Sequence, residues 1–180
     1  MACHTKQALL SLSLHLLLLL SSTTQGAKPM KHLKLKTTHL HFYFHDTVAG
    51  RNATAVLSAH PPNPYPTRFG NVFVIDDPLT EGPEPTSRRV GRAQGMYAFA
   101  ARDEFSVLMA VDYAFTEGEF RGSGVSVLGR NPVTRAVREF PVVGGSGKFR
   151  LARGYALART RWFDSAGDAV VEYDMFVMHY

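Results

Sequence analysis

Acid–base chemistry needs ionisable side chains held where water is scarce, and two places in this 180-residue chain offer them. The first is Asp46. From Leu40 the sequence alternates, so Leu40, Phe42 and Phe44 share a strand face with Asp46, while His39, His41, Tyr43 and His45 share the other. A carboxylate ending an apolar face stands either in solvent at the strand end or at the mouth of a cavity, and the alternation leaves both open. The second place is Gly129 to Tyr155, where Arg130, Arg135, Arg138, Arg150 and Arg153 bracket the glycine cluster Gly144, Gly145 and Gly147. The cluster separates two apolar runs, which predicts a tight connection between paired strands. Some of those arginines then point toward whatever the sheet encloses.

Three competing chemistries fail, two on spacing and one on position. The segment Gly144-Gly145-Ser146-Gly147-Lys148 is not a phosphate loop, because Val142 stands where the motif needs its first glycine and Phe149 where it needs Ser or Thr. The histidines do not form a metal site, since His39 and His45 lie about 20 Å apart on an extended strand. No metal or cofactor is expected. The single cysteine, Cys3, precedes the fold and gives the exported chain neither a disulfide nor a thiol nucleophile. Such a chain relies on its core or on oligomerisation.

Strands must position these residues. Segments at Phe69 to Ile75, Ser87 to Ala101, Phe105 to Thr116, Arg121 to Leu128, Ala136 to Val143, Phe149 to Trp162 and Ala169 to His179 read as strands joined by short Gly- and Asp-rich turns, with Asp76 to Pro83 as a turn. Pro61 to Pro66 is a loop. Helical spacing is not sustained, so the expected class is all-β and antiparallel, and closure into a barrel would remove exposed edges. Residues 1–26 read as a secretory signal peptide: Lys6, the apolar run Ala8 to Leu20, then small polar residues to Gly26. That run is shorter than the ~20 residues a membrane span needs. Residues 27–37 form a basic leader and 38–180 a single domain. The net charge of +5 sits partly in that leader, so it argues weakly for nucleic acid and equally well for an acidic polysaccharide surface. Asn52-Ala53-Thr54 fits the N-glycosylation pattern and predicts a surface loop.

Taken together, Phe42-Tyr43-Phe44-His45-Asp46, Asp77-Pro78-Leu79-Thr80 with Gly82-Pro83, Gly91-Arg92-Ala93-Gln94-Gly95-Met96-Tyr97, Gly129-Arg130-Asn131, Arg138-Glu139 and Phe149 through Tyr155 resemble the plant dirigent proteins over Leu40 to Tyr180. The resemblance implies an antiparallel barrel of about eight strands, similar in shape to the allene oxide cyclases, assembled as a homo-oligomer, typically a trimer. It implies a protein secreted to the apoplast, where a partner oxidase such as a laccase generates phenoxy radicals from small phenols and the dirigent protein directs their coupling. Orientation alone supplies that control, without a redox group.

The resemblance also carries roles onto residues. Asp46, Arg138 and Tyr97 match catalytic positions, and Asn131, Phe44 and Phe176 are the expected substrate-binding residues. Members that act on a quinone methide need an acid for its oxygen and a base for the closing hydroxyl. Here Asn131 stands where lignan-forming members carry an aspartate, and an amide yields no proton at ordinary pH. That departure puts chemistry by a carboxylate pair, and pinoresinol-type coupling with it, in doubt. The cysteine-free C-terminus looks more like the branches that include pterocarpan-forming relatives.

Overall fold

The computed structural model describes residues 33–180, of which Lys34–Tyr180 form one compact unit. The expected signal segment 1–26, Cys3 and most of the leader lie outside the described residues. The strands are β1 (Lys36–Asp46), β2 (Ala55–Ala59), β3 (Val72–Thr80), β4 (Arg89–Phe99), β5 (Ser106–Phe115), β6 (Ser123–Pro132), β7 (Arg138–Ser146), β8 (Arg153–Phe163) and β9 (Ala169–His179). Every pairing is antiparallel, in the order β1-β9-β8-β7-β6-β5-β4-β3-β2, and β1 also pairs with β3. Eight strands therefore close into a barrel, as expected, while the short β2 continues the line of β1 along the edge of β3.

Alternation builds the interior. Leu40, Phe42 and Phe44 of β1 and Tyr173, Met175 and Val177 of β9 all turn inward and are buried. One end of the barrel is filled by aromatic rings: Phe42 stacks on Tyr173 at 5.5 Å, and Phe149, carried by a single 3-10 turn at Gly147–Phe149, packs against Phe115, Phe120 and His179. Each such ring contributes roughly 1.5–3 kcal/mol by leaving water. The other end, where β1, β4, β6 and β8 finish, is not filled.

Two expectations shift. The glycines at 144 and 145 lie inside β7, and the connection to β8 is the 3-10 turn after them. A side chain at Gly145 would meet Phe149 O at 2.6 Å and Gly124 O at 2.7 Å, so this glycine lets three backbone segments meet. The turn expected at Asp76 to Pro83 is instead the second half of β3 as far as Thr80. Pro78 is tolerated for a local reason. Asp76 N donates to Thr54 O, so the Pro78 nitrogen, two residues on, faces the same side, where the β1–β3 ladder pairs only Tyr43 with Thr80 and Phe44 with Leu79. β1 itself starts at Lys36, inside the segment read as leader.

Candidate functional site

The unfilled end holds a cavity of about 700 Å³, a volume that suits a small organic molecule. Its apolar lining includes Phe44, Val107, Met109, Val171 and Tyr173, and its polar side chains include Asp46, Tyr97, Asn131 and Arg138. Barrel closure brings these together from remote parts of the chain. Asp46 ends β1 and Tyr97 lies near the end of β4; Arg138, on β7, stands three strands from each of them around the barrel, and Asn131 lies beside it on β6. The acid and the cation therefore face each other across the space.

On the acid wall, burial pushes the Asp46 carboxyl up to about 7; the nearby Tyr97 hydroxyl opposes the rise and Asp168 adds to it. Its Oδ1 is shut off from solvent with no hydrogen-bond partner. Burial, and then the charge of Asp46, pushes the Tyr97 hydroxyl far up, so it stays a donor. Behind this wall lies Asp77, fully buried, with neither carboxyl oxygen hydrogen-bonded. Burial first and Asp46 second push it up to about 8, while the nearby Thr54 hydroxyl opposes them without reaching hydrogen-bond geometry. The rim is pinned by Asp168, whose Oδ1 accepts from Val48 N at 2.8 Å and Ala49 N at 3.2 Å.

On the opposite wall Arg138 is only 4% exposed. Its Nε donates to Asn131 Oδ1 at 3.3 Å and its Nη1 to Arg135 O at 3.4 Å, while Asn131 Nδ2 donates to Met109 Sδ at 3.2 Å. Among the described residues it makes no salt bridge with a carboxylate. Burial pushes the guanidinium down from its usual value, and Tyr173 opposes that. A buried cation held by neutral acceptors is available to an incoming oxygen anion.

The profile described as dirigent-like protein matches residues 37–178. The chain belongs to the dirigent family. Dirigent protein 21 of Arabidopsis thaliana is 53% identical to this dirigent protein over 161 residues, covering 88% of this chain and 85% of that one. Pterocarpan synthase 1 of Glycyrrhiza echinata is 50% identical over 151 residues, covering 81% and 79%. A solved pterocarpan synthase dirigent protein superposes with a TM-score of 0.78 at 47% identity, covering 83% of this chain and 88% of that one.

This dirigent barrel gathers five of the six expected catalytic and substrate-binding residues, Asp46, Tyr97, Arg138, Asn131 and Phe44, around the cavity. Phe176 is elsewhere. It lies on the outer face of β9, stacked on His39 at 4.6 Å and on Tyr155 at 5.1 Å. Of the five arginines near the glycines only Arg138 turns inward; Arg130 pairs with Glu104, and Arg135, Arg150 and Arg153 are exposed. Asn52 is exposed in the loop between β1 and β2. His39 and His41 pair with Asp174 and Glu172, whereas His45 is buried, its Nε2 2.6 Å from Thr80 Oγ1. Two interior residues escaped the sequence reading, Asp77 and Tyr173. Alternation marks both, Asp77 with Phe73, Ile75 and Leu79, and Tyr173 with Val171, Met175 and Val177.

Proposed function

We propose that this chain is a secreted dirigent protein that fixes the stereochemistry of phenolic coupling in the cell-wall space, receiving phenoxy radicals from a partner oxidase such as a laccase. The observation that carries the reading is the cavity itself: apolar walls to hold aromatic rings, with Arg138 across from Asp46 and Tyr97 to bind phenolic oxygens at both ends. Radical coupling is fast and unselective in water, so holding each ring by one face is the whole catalytic task. No helix of the described residues is long and apolar enough to cross a membrane, which accords with the exported reading of residues 1–26. The test is chiral chromatography of products formed by laccase from coniferyl alcohol, with and without the protein. Enantiomeric excess that disappears in Arg138→Ala supports the reading, and racemic product in both arms sinks it for this phenol.

A second reading, ring closure or dehydration on a quinone methide without an oxidase, rests on the Asp46 carboxyl, which burial keeps able to carry a proton near neutrality. The naming of two relatives as pterocarpan synthases accords with it. Turnover of an isoflavanol-type substrate with no oxidase present would favour this class, and its absence would remove it.

The barrel's outside supports self-association. Val56, Val74, Met96, Ala110 and Leu128 are register partners on five successive strands, β2 to β6, and form one outward apolar row. Val56, Val74, Met96 and Leu128 each stand about half exposed. A row of this kind is a docking face for further copies of the chain, with a trimer as the favoured assembly.

A further inference from the structure

The β1–β3 seam sets two carboxylates against each other. Phe44 pairs with Leu79 as the last rung of the ladder, Asp46 and Asp77 each follow two residues beyond it, and Asp46 is near enough for its charge to act on Asp77. Both have inward parity, one with Leu40, Phe42 and Phe44, the other with Phe73, Ile75 and Leu79. Directly opposed side chains have their Cβ atoms about 4.5–5.5 Å apart, within reach of a shared proton. Three of the four oxygens, Asp46 Oδ1 and both oxygens of Asp77, are buried and hydrogen-bond to nothing in the protein. Buried carboxyl oxygens are normally partnered, and two ionised carboxylates so placed repel strongly. Protons kept on the pair answer both facts.

We infer that Asp46 and Asp77 form a proton-sharing carboxylate pair, in which Asp77 is a positioning residue that keeps a hydrogen-bond donor on the Asp46 carboxylate once Asp46 has given its proton to the substrate. The inference rests on the acid–base reading of the cavity and deepens it, because the pair supplies the second carboxyl that Asn131 does not. The step balances from the state in which both carboxyls are protonated: one proton leaves Asp46 for the substrate oxygen, the remaining Asp77 proton bridges to the new carboxylate, and the pair goes from neutral to a single negative charge until it is reprotonated. The ionisable groups facing the pair are Tyr97 from β4, Tyr113 from β5, Tyr173 from β9 with Arg138 behind it, Asp168 and Arg68 at the rim, and Asp76 and Arg92 beyond β3. The tyrosines are pushed toward their neutral forms by burial, which leaves the two aspartates as the groups that exchange protons with each other.

The experiment is a 13Cγ NMR titration of the full folded chain carrying labelled aspartate. In the unaltered protein the Asp46 and Asp77 resonances should each shift in two steps, because each senses the other's ionisation. In Asp77→Asn the upper step should be lost and Asp46 should titrate in one. A single-step Asp46 titration in the unaltered protein, with the same midpoint in Asp77→Asn, overturns the pair. If Asp77→Asn does not fold, Asp46→Asn reads the same coupling from the Asp77 resonance, with loss of its second step expected and an unchanged curve overturning the pair. The functional reading fails separately: two-step titration together with product formation indifferent to Asp46→Asn would keep the proton-sharing pair and remove its catalytic use.

Discussion

Arg138 Nε donates to Asn131 Oδ1 across 3.3 Å, so the cation inside the barrel is held by an amide rather than a carboxylate. A buried charge without a counter-ion costs stability, and a site that keeps one is trading stability for a ligand contact. Arg138→Met, similar in length and apolar, should raise the unfolding free energy by about 1–3 kcal/mol while abolishing stereoselectivity. Thermal or denaturant unfolding beside product analysis checks both halves. A lower melting temperature would make Arg138 a structural residue first.

Asn131→Asp probes the same contact from the other side. A carboxylate at 131 would form a charge-assisted bond to the guanidinium and withdraw it from a bound oxygen anion. The variant should fold and should bind phenolate-like ligands several-fold more weakly, which isothermal calorimetry would measure. Equal or tighter binding would mean that Arg138 does not meet the ligand's oxygen.

The strand pattern was legible because a barrel wall is half buried, and alternation then writes the inside and outside of each strand into the sequence. Asp46 could be placed on the inner face for that reason. Asp77 was hidden by composition: Asp-Asp-Pro followed by Gly-Pro has the chemistry of a turn, yet Pro78 faces a side of β3 where the β1 ladder does not use its nitrogen. Alternation from Phe73 through Leu79 outweighs that composition. Phe176 was misplaced because the resemblance carried it to the pocket, although Glu172 and Asp174 mark its face as outward. Which end of the barrel stays open was beyond the sequence, because it depends on how Phe115, Phe120 and Phe149 meet at the other end.

The raised carboxyls predict an unusual pH dependence. Asp46 at about 7 and Asp77 at about 8 hold protons in the fold that the unfolded chain releases near 3.8. The folded state therefore binds more protons across that window, and stability must fall as pH rises through it, by at most roughly 4 kcal/mol for Asp46 and roughly 6 kcal/mol for Asp77. Asp76, Glu172 and Asp174, held below their usual range, act oppositely and only at lower pH. Unfolding midpoints should decline from pH 5 to pH 8, and Asp77→Asn should flatten the decline. A flat profile in the unaltered protein would show that neither carboxyl is buried as described.

The apolar row on the outer wall makes a prediction about assembly. Met96 and Leu128 point away from the cavity, so charging them should leave the interior intact. If copies of the chain dock on this row as proposed, the unaltered protein should sediment as an oligomer and Met96→Glu as a monomer in sedimentation velocity, while the melting temperature of the isolated barrel changes by little. A variant that stays oligomeric would place the interface elsewhere, with the β1–β9 face around Phe176 the next to test.

Gly95 ties the central sequence motif to the site. It sits mid-strand with φ +150, and a side chain there would meet Ala110 O at 2.2 Å, closer than any real contact. The glycine lets β4 press against β5, and Tyr97, two residues later on the same strand, takes its aim from that contact. Gly95→Ala must part the two strands or twist β4, at a cost of about 1–3 kcal/mol. Because Tyr97 moves with the strand, selectivity should fall further than in Tyr97→Phe, which removes only the hydroxyl facing Asp46. Comparing enantiomeric excess in the two variants separates position from chemistry: if Gly95→Ala keeps full selectivity at a temperature where it is folded, the aim of Tyr97 is not what the glycine protects.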